Sequence, residues 1–318
     1  MSQPLFHRPT VSFLSLLGLI LAGGVSALAE DPPVDAATPE RFTLAFRFQP
    51  GQRVSYEISH DSKIASVQGS HKEIAINKTK TIRSYRVMDV SDAGVARLEM
   101  QLDSVWMSAA FEDEEGSQGD PVIFDSTDPD KRKNPKFGHV LNTVGRPQAV
   151  LSVDPTGKTL EAKRLGVKAD VEPTDAGSKT KPDNFLMTLP AQPVAVGETW
   201  KEPFDVFARN DSALTVRIRM QTVYKLESVV DGKATIGYRT VVLTPLEQPS
   251  IAAQLIQREL EGKAVFDLEQ GQIASREAKL DRTVVGAFGP QSTMHAESRY
   301  KERLVPTTIA ARETTSVK

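Results

Sequence analysis

The sequence predicts a mainly β protein built from two similar antiparallel units of curved or sandwiched sheet, with one short helix covering a sheet, after a cleaved signal peptide. Three observations carry this. Apolar and polar residues alternate with period two over long stretches, which puts successive side chains on opposite faces of a strand. Asp/Gly turn signals separate these stretches, and helical periodicity is scarce. One apolar and one wet face per strand is the habit of antiparallel sheets, because parallel strands covered on both faces read as unbroken apolar runs.

The elements follow in order. Residues 1–29 have a basic start (His7, Arg8), an apolar run from Val11 through Leu21, and small residues ending Ala27-Leu28-Ala29. That is the layout of a secretory signal peptide cleaved after Ala29, and the run is too short for a spanning helix of about 20 apolar residues. Residues 30–40, with Pro32, Pro33 and Pro39, read as a flexible leader. The first unit, 41–167, opens with Phe42, Leu44, Phe46 and Phe48 in alternation, then Val54, Tyr56 and Ile58 after the Pro50-Gly51 turn. Ala96, Leu98, Met100 and Leu102 alternate next, and Trp106 continues their apolar phase toward the core. An acidic insertion spans roughly 109–145. It ends in the best helix candidate, Pro135 to Val144, where Phe137, Val140, Leu141 and Val144 share one face and Gly145 stands at the cap.

Polar residues 168–183 read as a linker. A second, shorter helix candidate starts near Asp183 with Phe185, Leu186 and Leu189 and ends at Pro190. The second unit, 184–306, holds the longest alternation, Leu214 through Leu226, and Trp200 beside its opening turn is expected to pin that strand to the core. Residues 307–318 read as a disordered tail. The units repeat an order: Gly51 and Gly197 open them, Tyr85 leads to Gly94 as Tyr224 leads to Gly232, and the turns at Asp154–Gly157 and Glu269–Gly271 follow. This reads as an internal duplication.

Leu189-Pro190, the opening Val196-Gly197-Glu198-Thr199-Trp200, and the turns Val153-Asp154-Pro155-Thr156-Gly157 and Phe266-Asp267 to Gly271, with Phe124-Asp125-Ser126, carry a resemblance. The chain resembles an uncharacterised family of secreted bacterial β-rich proteins with a domain of unknown function. The resemblance implies secretion and transfers no functional residue.

Composition narrows the chemistry. The chain has 318 residues, 39 basic and 41 acidic, a net charge of −2; without residues 1–29 the balance is 38 against 41, or −3. Nucleic acid is disfavoured as a partner, since a strongly basic domain is its footprint. With no cysteine there are no disulfides and no thiolate chemistry. No G-x-S-x-G elbow and no H-E-x-x-H motif occur, so no catalytic, cofactor or metal residues are assigned. His60 and His71, with Asp61 and Glu73, form a weak metal pairing across a hairpin, for which surface histidines are the preferred reading. Asp125, Asp128 and Asp130 lack calcium-loop spacing and read as a solvated loop. Arg217, Arg219, Arg239, Arg299, Lys301 and Arg303 lie on the polar phase of the second unit. Adjoining strands would align them into a basic stripe suited to acidic glycans or anionic head groups. Asp267, Glu277 and Glu302 oppose that stripe, and an ordinary solvated face is the preferred reading.

The expected function is therefore non-enzymatic: an extracytoplasmic binding or cell-envelope interaction protein, periplasmic or secreted, meeting an envelope glycan, lipid or protein. The alternatives are a carrier of lipid or another small apolar molecule within a curved sheet, and a carboxylate-dependent hydrolase of envelope polymers.

Overall fold

The computed structural model describes residues 39–112, 119–134, 137–165 and 186–306, which belong to one compact unit. The expected signal peptide, most of the expected leader, the expected linker and tail, and the start of the second helix candidate lie outside the described residues.

The fold is mainly β and antiparallel throughout. Its strands are β1 (Arg41–Phe42), β2 (Arg53–Gln68), β3 (His71–Val90), β4 (Ala96–Glu112), β5 (Val122–Asp125), β6 (Pro147–Val153) and β7 (Thr159–Arg164), followed by β8 (Val194–Ala195), β9 (Thr199–Arg209), β10 (Thr215–Val230), β11 (Lys233–Val242), β12 (Glu261–Asp267), β13 (Gln272–Val285) and β14 (Ser292–Val305). Strands β1 and β8 pair with each other. The other twelve form one open sheet ordered β7-β6-β4-β3-β2-β14-β13-β12-β11-β10-β9, with β5 on β4. The two sequence halves therefore share one continuous sheet, joined where β14 pairs with β2 along its whole length.

Period-two alternation explains why one face is dry. Val54, Tyr56 and Ile58 of β2, Tyr224 and Leu226 of β10, and Ala234 and Ile236 of β11 all point inward and pack with Leu98, Leu151 and Phe266. The segment after β1, expected as a strand, is instead an extended plug. Leu44 and Phe46 are buried in the core, and the Phe46 ring meets Phe266 edge-on at 5.6 Å. Two turns hold the plug: the Phe46 N–H donates to Pro155 O at 2.7 Å and the Arg47 N–H to Gly271 O at 3.0 Å. Within the first turn Asp154 Oδ1 accepts from the N–H groups of Thr156 and Lys158 and from the Thr156 hydroxyl. Gly157 has φ +82°, and a Cβ there would stand 2.4 Å from Met187 O and 2.5 Å from the Phe46 ring, so only glycine fits.

Helix is as scarce as the sequence predicts, but its placement differs. The candidate over 135–144 reduces to α1 (Gly138–Leu141), which buries no residue; Phe137 before it rests on the Phe124 ring at 5.4 Å. The helix that covers the sheet is α2 (Pro249–Leu255). It opens on a proline at its first turn and buries Ile251 and Leu255, one helical turn apart, against Ala208, Ile218 and Met220. Residues 186–193 are not helical. Leu189 enters the core, with its N–H donating to Thr156 O at 2.7 Å. None of the described helices is long and apolar enough to cross a membrane.

All five tyrosines of the chain (Tyr56, Tyr85, Tyr224, Tyr238 and Tyr300) fall on the inward phase. With them lies a half-buried ion pair, Arg276 to Glu302 at 2.7 Å. Tyr300 Oη accepts from Arg276 at 2.8 Å and donates to Glu302 at 3.0 Å, while the Arg276 guanidinium lies 5.0 Å from the Tyr300 ring centre. Burial pushes the Tyr238 and Tyr300 phenols up to about 12, and raises those of Tyr56, Tyr85 and Tyr224. Glu302, expected to offset basic residues on the wet face, faces inward instead, because it shares the phase of Tyr300.

Candidate anion-binding face

The wet face follows from the same alternation. Residues between the buried ones point outward, and the strand register lines them up into rows across the sheet. One row runs Val223, Arg239, Glu261, Lys279, Arg299, Asp61, Lys78 and Ser108. The row beside it runs Lys225, Gly237, Lys263, Glu277, Lys301, Ser59, Lys80 and Trp106. The two rows hold eight basic and three acidic residues, a local excess of +5 on a chain whose net charge is −2.

Over β10–β14 the rows line a groove of about 660 Å³ whose walls include Lys225, Arg239, Lys279, Arg299 and Lys301. Gly237 and Gly262 lie along its floor, Gly237 buried beneath the Glu227 side chain. A Cβ on Gly262 would stand 2.0 Å from Glu277 O, so glycine is required for β12 and β13 to approach this closely. The Tyr238 hydroxyl donates to that same carbonyl at 3.1 Å, tying β11 to β13 across Gly262. Two groove lysines are paired, Lys263 with Glu227 at 2.7 Å and Lys279 with Glu261 at 3.0 Å. Among the described residues, Lys225, Arg239, Arg299 and Lys301 make no ion pair. Exposed ion pairs contribute only about 0–1 kcal/mol each, so the band is not built for stability.

Trp106 closes the second row because of a β-bulge. Leu102 opposes Arg83 and Ser104 opposes Ile82, which leaves Asp103 as the extra residue. Its carboxylate accepts from Arg53 at 2.6 Å, Gln101 at 2.8 Å and the Ser84 hydroxyl at 3.1 Å. One inserted residue reverses the phase. Leu98, Met100 and Leu102 face inward, whereas Trp106 faces outward, half-buried, beside a depression of about 220 Å³ that Lys80 and Asp125 also line. This corrects the core role expected from its spacing. Trp200 behaves as expected: it stacks on Tyr224 at 5.4 Å and donates to Thr188 O at 2.8 Å.

The other sequence candidates separate. His60 opposes Thr79 and His71 opposes Gln68; eight residues of strand, roughly 26 Å, lie between His60 and Gln68. No group of three metal-ligating side chains occurs among the described residues. Asp125 and Asp128 shape their own loop. Hydrogen bonds from Thr127 hold the Asp125 carboxyl below the usual range, and the Asp130 and Lys131 N–H groups do the same for Asp128. Of the predicted basic stripe, Arg239, Arg299 and Lys301 join the band. Arg217 pairs with Asp205, Arg303 with Glu57 at 3.1 Å, and Asp267 caps its own turn through the Glu269 and Gln270 N–H groups. Lys78, Lys80, Lys225, Lys263 and Lys279 were not anticipated. Their outward phase is written in the alternation; Lys225, Lys263 and Lys279 are brought together within β10–β13, and Lys78 and Lys80 join them through the β14–β2 junction. No protein-family model matches the chain, and no curated protein does.

Proposed function

We propose that this is a non-enzymatic, extracytoplasmic binding protein, periplasmic or secreted, that holds an anionic component of the cell envelope on its outer face. The observation that carries the reading is the +5 band across the sheet, together with the groove under its β10–β14 part that six basic and three acidic residues line, on a chain whose net charge is −2. The inward face supports a partner-binding role over an apolar carrier, since Phe266, Leu226, Ile236 and Leu98 are fully buried in one packed core. An origin by duplication, in a secreted β-rich family, accompanies this reading. The strand orders β2-β3-β4-β6-β7 and β9-β10-β11-β12-β13 support it.

The test is retention of the purified protein on a carboxylate- or sulfate-bearing matrix near physiological salt, beside an Arg239→Glu/Lys301→Glu variant. Retention of the native protein and release of the variant at markedly lower salt are expected, because such binding weakens steeply as salt rises. Elution of both in the wash would reject the reading.

A further inference from the structure

Building on the anion-binding reading, we infer that the ligand is a linear acidic polysaccharide, laid across the strands, with a sugar ring packed on Trp106. The first argument is extent. The row from Lys225 to Trp106 crosses eight neighbouring strands, roughly 34 Å measured along the sheet. A compact anion would engage two or three of its cations, whereas a chain with regularly spaced carboxylates meets them in succession. The second is shape. The cations over β10–β14 line a groove, a shape that follows a single chain more closely than a flat array of lipid head groups. The third is the mixture of charges. Asp61, Glu261 and Glu277 interrupt the cations. They repel a polymer of uniform high charge such as polyphosphate, but accept hydrogen bonds from the hydroxyls that a glycan carries between its carboxylates. The fourth is Trp106, turned onto the wet face by the Asp103 bulge that three donors stabilise. A half-buried indole beside a lysine and a carboxylate offers a rigid apolar plate, with polar groups at its edge, for the C–H face of a pyranose.

Trp106 also reports on the test. Trp200→Phe leaves it as the sole tryptophan; if that variant does not fold, the native protein serves, its Trp200 being stacked in the core. Oligogalacturonates of increasing length are titrated in, alongside galacturonic acid, dextran and polyphosphate. Affinity is expected to rise with oligomer length and to level off near the span of the band, with a change in Trp106 emission and no response to dextran. Trp106→Ala is expected to weaken binding of the longest oligomer about tenfold. Lys80→Glu with Lys301→Glu is expected to weaken it more, with the far-ultraviolet circular dichroism unchanged. Monomer binding as tightly as oligomer, polyphosphate matching oligogalacturonate, or full affinity in Trp106→Ala would overturn this inference and leave the anion-binding reading in place. No binding of any of these anions by the folded protein would overturn both.

Discussion

At the scale of single residues, the inner face carries the sharper energetic consequence. Arg276 meets Glu302 at 2.7 Å, both donate to or accept from Tyr300, and Arg276 Nε is buried without a partner. Removing one member of such a pair leaves the other's charge buried and uncompensated. Glu302→Gln is therefore expected to cost about 3 kcal/mol in urea unfolding, and Arg276→Met/Glu302→Leu, which removes both charges, to cost less than either single change. The tyrosines set a pH limit. In the folded chain the Tyr238 and Tyr300 phenols stand near 12, above their ordinary 10. Between pH 10 and 12 the unfolded chain loses these protons while the folded one keeps them. Their contribution is thus whole below pH 10 and is lost as pH rises toward 12. Tyrosinate absorbance should appear together with unfolding; ionisation of all five in a chain still folded would refute this.

At the scale of elements, the bulge in β4 separates what alternation shows from what it hides. The strand itself is plain in Ala96, Leu98, Met100 and Leu102. One extra residue reverses the phase without leaving a glycine or proline to mark it, so Trp106 reads as core in the sequence and lies on the wet face. Asp103→Ala removes three hydrogen bonds and is expected to cost about 2 kcal/mol, with a shift in Trp106 emission; an unchanged spectrum and stability would show the bulge to be held by other means. Helices were legible only in scarcity. The 135–144 periodicity is spent on a short turn, while α2, seven residues with only Ile251 and Leu255 buried, is too brief to announce itself. Leu255→Ala should cost about 3 kcal/mol in urea unfolding, since its side chain fills the contact with the sheet.

At the scale of the molecule, the separation into two sequence units dissolves into one sheet. Arg303 of β14 bonds to Glu57 of β2 across 246 residues, and the main core draws on Val54, Leu98 and Leu151 as well as Leu226, Ile236 and Phe266. Urea unfolding followed by circular dichroism and by tryptophan fluorescence should therefore give coincident transitions; two separated transitions would mean that the halves fold apart. The same junction explains why the band was only partly visible in sequence. A net charge of −2 averages it away, Arg239, Arg299 and Lys301 were readable from one half alone, and Lys78 and Lys80 join them only once β2 lies beside β14.

The most direct measurement is lysine acetylation of the folded protein with and without a saturating acidic polysaccharide, read residue by residue by mass spectrometry. Lys80, Lys225, Lys263, Lys279 and Lys301 should be protected together, while Lys131, Lys158 and Lys163, away from the band, react as before. Protection scattered over the surface, or confined to lysines outside the two rows, would contradict the account.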